Sequence, residues 1–413
     1  MKRPYKSPSY IYYVQVNQHC HLTYCTNVHG GDNWKETFDH IERYVPRIRK
    51  NLTTRQFGIG LRLSNQASLE LMEGSRLAEF KHWLQTNQLY VFTINGFPYG
   101  GFHHSPVKDQ VHHPDWTTKE RVEYTKRLFT ILAELLPEGM DGGVSTSPLS
   151  YRPWHSPQGI NQVKTVAAEQ LAEITAFLVF LQQQTGKWLH LDLEPEPDGI
   201  FETSKEFITF YHDFLLNLGK EHLQRLAPCN ASTAHNHILR HIQLCLDVCH
   251  FAVEYEDIKK LLQDLSEAGI NIGRIQISSA MKVVPDSDNR QRTIHELAAF
   301  DEPVYLHQTV LKDHNNTLSR FTDLTAALIK FENSNYKELR THFHVPIFTQ
   351  QYGVLESTQD DILTLLKLWK TKPFTRHLEV ETYTWDVLPQ GLQVDIETSI
   401  TRELQWVLNE IKS

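Results

Sequence analysis

The residues Leu189–His190–Leu191–Asp192–Leu193–Glu194–Pro195–Glu196–Pro197 alternate apolar with titrating side chains until two prolines halt the pattern. A strand repeats every two residues, so His190, Asp192 and Glu194 share one face and the leucines the other. Titrating groups on a short buried strand have a use when they bind a metal or a polar substrate. The same alternation sets Asp247 opposite Leu246 and Val248, with His250 three residues on, and sets Glu379 and Glu381 opposite Leu378 and Val380. Glu194, Asp247 and Glu381 are thereby aimed from separate strands into one lumen. Like charges packed closely need a counter-charge. One divalent cation supplies it. Oxygen donors suit Mg²⁺ or Mn²⁺, and added imidazole moves the choice towards Mn²⁺, Zn²⁺ or Fe²⁺.

Each group also has a plainer reading. Asp247 or Glu381 alone is equally a strand-end cap or an ion-pair partner. His342 and His344 form an HxH pair in Thr341–Pro346, which suits metal ligation and suits aromatic stacking equally. His307 reads as a packing or loop residue, and His112–His113 and His235–Asn236–His237 as solvated loop residues. Cys245 and Cys249 flank Asp247 as small buried side chains. Gly96–Gly101 lacks the spacing of a phosphate loop and reads as a flap whose Phe97, Tyr99 and Phe102 cover a ligand.

These groups need a scaffold that gathers strand ends. Strand patterns occur at Leu22–Asn27, Phe57–Ser64, Tyr90–Asn95, Gly143–Ser147, Trp188–Glu194, Leu244–Cys249, Arg274–Ser279 and His377–Tyr383. Between them run amphipathic helical patterns with apolar residues at three- and four-residue steps. Such alternation predicts a closed (β/α)8 TIM barrel, with its chemistry at the carboxyl ends of the strands. The open doubly wound sheet is disfavoured, since Asn27–Asp32 is not GxGxxG and no P-loop occurs. Val304–Val310 and Thr341–Phe348 also read as strands. The expected organisation is one barrel over residues 1–413, with an excursion at about 281–370 between the seventh and eighth strands; the alternative is that Thr341–Pro346 is a barrel strand and one earlier segment lies outside. At the strand ends, Asn27, His29, Asn95, His103, Arg152, Glu196, His250, Gln276, His342 and Trp385 become candidate substrate contacts, Arg152 by a bidentate grip on phosphate or carboxylate.

Composition narrows the partners. With 41 basic and 49 acidic residues among 413, the net charge is −8, which argues against nucleic acid. No uninterrupted apolar run is long enough to span a bilayer, and the basic start has no secretory pattern, so cytoplasmic residence without membrane insertion is expected. Five cysteines without a CxxC pair give neither a disulfide framework nor a zinc knuckle.

Cys20–His29, Phe57–Ser64, Val91–His103, Leu246–His250, His342–Pro346 and His377–Pro389 resemble the EboE family over nearly the whole chain. The resemblance implies a metabolite traffic protein with a xylose isomerase-like TIM barrel. It implies a bacterial gene cluster that includes a prenyltransferase-like membrane protein and a sugar-phosphate cyclase-like enzyme, linked to secondary-metabolite maturation or export. The wider superfamily places Glu, Asp with a following His, His and Glu on strands five to eight, which Glu194, Asp247, His250 and Glu381 match. The seventh strand carries Gln276 where His is expected, so either its amide coordinates or His344 replaces it; His344 is preferred. The expected ligand set is therefore Glu194, Asp247, His344 and Glu381 around one Mn, Mg or Zn ion. Glu194 and Glu381 would also shuttle protons in a sugar, sugar-phosphate or cyclitol isomerase or epimerase. The rivals are a non-catalytic metabolite carrier and a metal-dependent hydrolase; three histidines around two metals would support the latter, and the expected set is oxygen-rich instead.

Overall fold

The computed structural model describes residues 20–52, 55–101, 107–285, 290–333, 335–385, 388 and 395–412. In chain order the first strands are β1 (His21–Tyr24), β2 (Phe57–Arg62), β3 (Leu89–Asn95), β4 (Asp141–Thr146), β5 (Trp188–Leu193), β6 (Ile242–Asp247) and β7 (Ile272–Ile277). Then come β8 (Met281–Val283), β9 (Thr309–Lys312), β10 (Leu318–Phe321), β11 (Glu338–Thr341), β12 (Gln351–Tyr352), β13 (Leu355–Ser357) and β14 (His377–Val380).

Eight parallel strands in the order β1-β14-β7-β6-β5-β4-β3-β2 make a nearly closed barrel with helices between them. This is a (β/α)8 TIM barrel. Its ends meet where β1 faces β2. There Thr23 Oγ1 donates to the Gly58 carbonyl at 2.7 Å and accepts from Gly60 N at 2.9 Å, and Cys25 bridges Gly60. The outer leucines of β5 are buried against helices, as alternation requires. Those helices are built on ordinary rules. Asp257 caps Ile258–Glu267 by accepting from Lys260 N, and Ile258, Leu261 and Leu265 line its buried side.

The lumen holds charge where most barrels hold aliphatic layers. Arg274 on β7 is fully buried between Asp192 (3.1 Å) and Glu379 (3.0 Å). Glycines make the room. A Cβ on Gly60 would overlap Glu379 Oε1, and one on Gly273 would overlap Asp192 Oδ1.

Between β7 and β14 in sequence lies a second, antiparallel sheet in the order β10-β9-β11-β8-β13-β12. Two strand expectations need correction here. The strands run over Thr309–Lys312 and Glu338–Thr341, so the HxH pair lies just past the end of β11. His342 still follows the ladder's register, its N donating to Gln308 O at 2.8 Å beside the Thr341–Thr309 pair, and the segment then leaves to dock elsewhere, Val345 N donating to Ser279 O at 3.0 Å. Pro346 then has no N–H with which to resume pairing.

Candidate metal centre

β6 ends at Asp247, which caps the helix Val248–Val253. Its Oδ1 accepts from His250 N at 3.0 Å and from Ser278 Oγ at 2.8 Å. That cap turns the chain so that His250 follows immediately, and leaves Asp247 Oδ2 buried without a hydrogen-bond partner. The prolines after β5 serve the same region. Pro195 offers its carbonyl to His250 Nδ1 at 3.0 Å, and Pro197 offers its carbonyl to Gln308 Nε2 at 3.1 Å. Gln308 is thereby oriented to accept from His342 Nδ1 through Oε1 at 2.8 Å. His344 Nδ1 is bonded to the Glu381 carbonyl at 2.7 Å.

Because a carbonyl oxygen can only accept, all three rings carry their proton on Nδ1. Each Nε2 is left with a lone pair, and these nitrogens face one another. His250 Nε2 and His342 Nε2 stand 3.1 Å apart, and His342 Nε2 and His344 Nε2 3.3 Å apart. Burial pushes all three rings below the ordinary imidazole range, so no ring proton is gained to join them. Two metal–nitrogen bonds of about 2.05 Å at a tetrahedral angle put their donors about 3.3 Å apart. The residues present therefore fit a divalent cation.

Carboxylates stand beside the rings, one of them near an Nε2 and two near Nδ1 atoms. Asp247 Oδ1 is 3.9 Å from His250 Nε2, and Glu194 Oε1 is 3.7 Å from His250 Nδ1. Glu196 Oε1 is 3.7 Å from His342 Nδ1. Glu194 and Glu196 each keep a buried oxygen without a hydrogen-bond partner. Burial first, then Glu381 and Asp247, hold the Glu194 carboxyl well above the usual range. Glu381 is raised too, by burial and then by Asp247, yet it is clamped. Its Oε1 accepts from Asn27 Nδ2 (2.7 Å) and Asn95 Nδ2 (2.9 Å), and its Oε2 from Gln276 Nε2 (2.6 Å).

The three histidines line a cleft that opens to solvent. Asn27, Asn95, Glu194, Glu196, His250, His342, His344 and Glu381 supply its polar side; Phe97, Pro98, Val107, Val111, Tyr305 and Leu306 supply an apolar side. Tyr383 sits between them, its hydroxyl 3.5 Å from His342 Nε2.

Other expected contacts are spent elsewhere. Gln276 donates to Glu381 while accepting from the Cys245 thiol at 2.7 Å, which occupies both ends of its amide. Arg152 donates to the Gly199 and Ile200 carbonyls (2.9 and 3.1 Å) and to Glu206 (2.9 Å), outside the cleft lining. His29 is bonded to Tyr24 Oη at 3.0 Å and stacked on Tyr44, and Trp385 stacks near Phe348. His103 lies outside the described residues.

His112 is fully buried rather than solvated, packed against Phe97 and Tyr151 with Nε2 3.7 Å from Glu196. His235 and His237 sit on the helix Ala231–His241, not in a loop. Tyr305 and Gln308 belong to the site without any sequence signal, because each acts through a contact from the second sheet. Cys249, whose thiol lies within ligand reach of His342 and His344, was visible only as a buried residue beside Asp247.

No family model matches the chain, and no curated protein is similar to it. Among solved structures, an IolI protein with a bound zinc atom is similar over 95% of this chain and 97% of its own, at 14% identity and TM-score 0.46. A D-tagatose 3-epimerase-like protein is similar over 95% and 100%, at 10% identity and TM-score 0.46. A xylose isomerase domain protein from Planctomyces limnophilus is similar over 86% and 88%, at 12% identity and TM-score 0.43. Likenesses this distant carry nothing about chemistry, and the barrel assignment stands on the strand order itself.

Proposed function

We propose that this protein is a divalent-metal-dependent isomerase or epimerase acting on a sugar, sugar phosphate or cyclitol. The observation that carries the reading is the three facing Nε2 lone pairs of His250, His342 and His344 beside an unclamped buried carboxylate, Glu194. His250, His342, His344 and Asp247 would hold the ion, with Glu194 or Glu196 completing the set. Three nitrogen donors favour Zn²⁺ or Mn²⁺ over Mg²⁺. The oxygen-rich set expected from the sequence is replaced in this reading, with Glu381 moved from ligand to neighbour. When bound, the ion acts as a Lewis acid that polarises a substrate carbonyl or hydroxyl.

The chain's own groups do the rest. Glu194, with one carboxylate oxygen free of hydrogen bonds, is placed to take and return a proton at a carbon next to the carbonyl. Glu381, fixed by Asn27, Asn95 and Gln276, presents a second carboxyl in a set position. The apolar wall of Phe97, Val111, Tyr305 and Leu306 excludes water from that transfer.

Incubation with aldoses, ketoses and cyclitols in D₂O tests this without knowledge of the product. Deuterium uptake into carbon that requires added Zn²⁺ or Mn²⁺ and disappears in Glu194→Gln supports the reading. Undiminished uptake in that variant, or none with any compound, overturns it.

The histidine-rich centre also favours the hydrolytic reading, in which release of a leaving group replaces deuterium uptake. The likeness of the sequence strings to EboE supports a place in secondary-metabolite maturation or export. A cytoplasmic protein functionally coupled to a prenyltransferase-like membrane protein and a sugar-phosphate cyclase-like enzyme fits that place. A non-catalytic carrier would bind the same metabolite and incorporate no deuterium. Among the described residues, no helix is long and apolar enough to cross a membrane.

A further inference from the structure

The opposite mouth of the barrel carries a second group of ligand-type side chains. Asp141 opens β4, His190 is on β5 and His377 opens β14, so all three lie towards the amino-terminal end of the strands. His377 is fully buried, and neither of its ring nitrogens has a hydrogen-bond partner. Its Nε2 is 3.8 Å from Asp141 Oδ2, and His190 Nε2 is 4.0 Å from the same oxygen. A direct hydrogen bond would close either gap to about 2.8 Å. Two bonds of about 2.1 Å at a tetrahedral angle put their donors about 3.4 Å apart, so an ion here would draw these side chains together by about half an ångström.

The tautomer is prepared as well. His190 Nδ1 donates to Asp192 Oδ1 at 2.6 Å, and Arg274 holds the other oxygen of that carboxylate at 3.1 Å. This is the arrangement in which a carboxylate behind one ring nitrogen turns the other into a ligand. Arg376 stands 3.6 Å from Asp141 Oδ1, on the far oxygen from the histidines, so Oδ2 stays available. A solvent-open cavity lined by Asp141, Trp188, Thr375 and Arg376 gives an ion a way in.

We propose that Asp141, His190 and His377 bind a second divalent cation of the zinc class, which staples β14 to β4 and β5 across the amino-terminal mouth. The strand order puts β14 diametrically opposite β4. β14 is also the strand that returns after the second sheet, so its docking closes the longest loop of the barrel, where a cross-link offsets the most chain entropy. The site is separate from the one at the carboxyl ends, and this inference does not rest on the proposed reaction.

Metal-free protein titrated with Co²⁺, followed by visible absorption and elemental analysis, tests it. Wild type should take up about two equivalents, and Asp141→Asn or His377→Gln about one. The double variant His342→Ala/His344→Ala should also retain about one, with the others' spectrum missing. Wild-type uptake of a single equivalent that this double variant abolishes would overturn the proposal, as would a second equivalent indifferent to Asp141→Asn and His377→Gln. Should both of those variants fail to fold, the double variant decides: retention of an equivalent supports the lower site, and none overturns it.

Discussion

The carbonyl of Pro195 accepts the Nδ1 proton of His250, and two residues on Pro197 does the same for His342 through Gln308. The acidic strand and the imidazoles it serves are thus one device: the residues that stop β5 also set the tautomers of His250 and His342. Gln308 is the removable link. Gln308→Leu leaves the His342 ring without an acceptor, so the ring can rotate or change tautomer. Loss of such a partner costs about 10–100-fold in metal affinity. Zn²⁺ competition against a chromophoric chelator should show that loss, and Gln308→Glu, which keeps an acceptor, should restore it. Unchanged affinity in the leucine variant would mean His342 is not a ligand.

Glu403 ties the final helix to both segments that carry the site. Its Oε1 accepts from Thr382 Oγ1 at 2.7 Å and from Ile347 N at 3.2 Å. Burial pushes its carboxyl up to about 8 from 4.5, against those two donors. The folded chain therefore keeps a proton that the unfolded chain releases, and stability is fullest below pH 4.5 and falls as pH rises to about 8. At about 1.4 kcal/mol per pH unit the whole loss is of the order of a few kcal/mol. Urea unfolding of Glu403→Gln should lack this component, so the difference between variant and wild type grows in the variant's favour across that window. A constant difference would place the pH dependence elsewhere.

Arg274 bridges Asp192 and Glu379 at full burial. Burial and Asp192 push the Glu379 carboxyl up, and Arg274, more than Cys25, opposes them. Arg274→Met leaves Glu379 without its counter-charge and Asp192 with His190 alone, and breaking such a buried pair costs about 3–5 kcal/mol. The urea midpoint should fall accordingly with the slope unchanged. Replacing all three with apolar residues should recover much of the loss, since well-packed substitutes for buried ions are often neutral or stabilising. Failure of the single variant to lose stability would mean the carboxylates take up protons at no cost.

What the sequence disclosed follows from its periodicities. Alternation marked the lumen faces of β5, β6 and β14, because a strand cannot place Glu194 without placing Leu193 opposite. It could not distinguish the layer of Asp192 and Glu379, neutralised by Arg274, from the layer of Glu194 and Glu381, since both satisfy the same pattern. The HxH pair was visible, but where its rings point depended on tertiary contacts, the bond of His342 Nδ1 to Gln308 and the docking of Val345 on Ser279. Arg152 looked available because its partners, the carbonyls of Gly199 and Ile200, are backbone atoms that leave no mark in side-chain patterns.

Gln276 and Glu381 form a donor–acceptor pair whose polarity is fixed from both sides. Asn27 and Asn95 feed one oxygen of Glu381, Gln276 feeds the other, and the thiol of Cys245 holds the amide oxygen of Gln276. Glu381→Gln sets an amide against an amide, and Gln276→Glu sets a carboxylate against a carboxylate. Each single variant should lose about 1–3 kcal/mol, the cost of a buried polar group without a proper partner. Exchanging both residues restores one donor and one acceptor, so the double-mutant cycle should show a favourable coupling of about 0.5–3 kcal/mol. Deuterium uptake separates structure from chemistry. If the carboxylate must stand at position 381, the exchanged protein recovers stability and not turnover. Recovery of both would reduce Glu381 to a packing partner and leave Glu194 as the only proton carrier among the paired carboxylates.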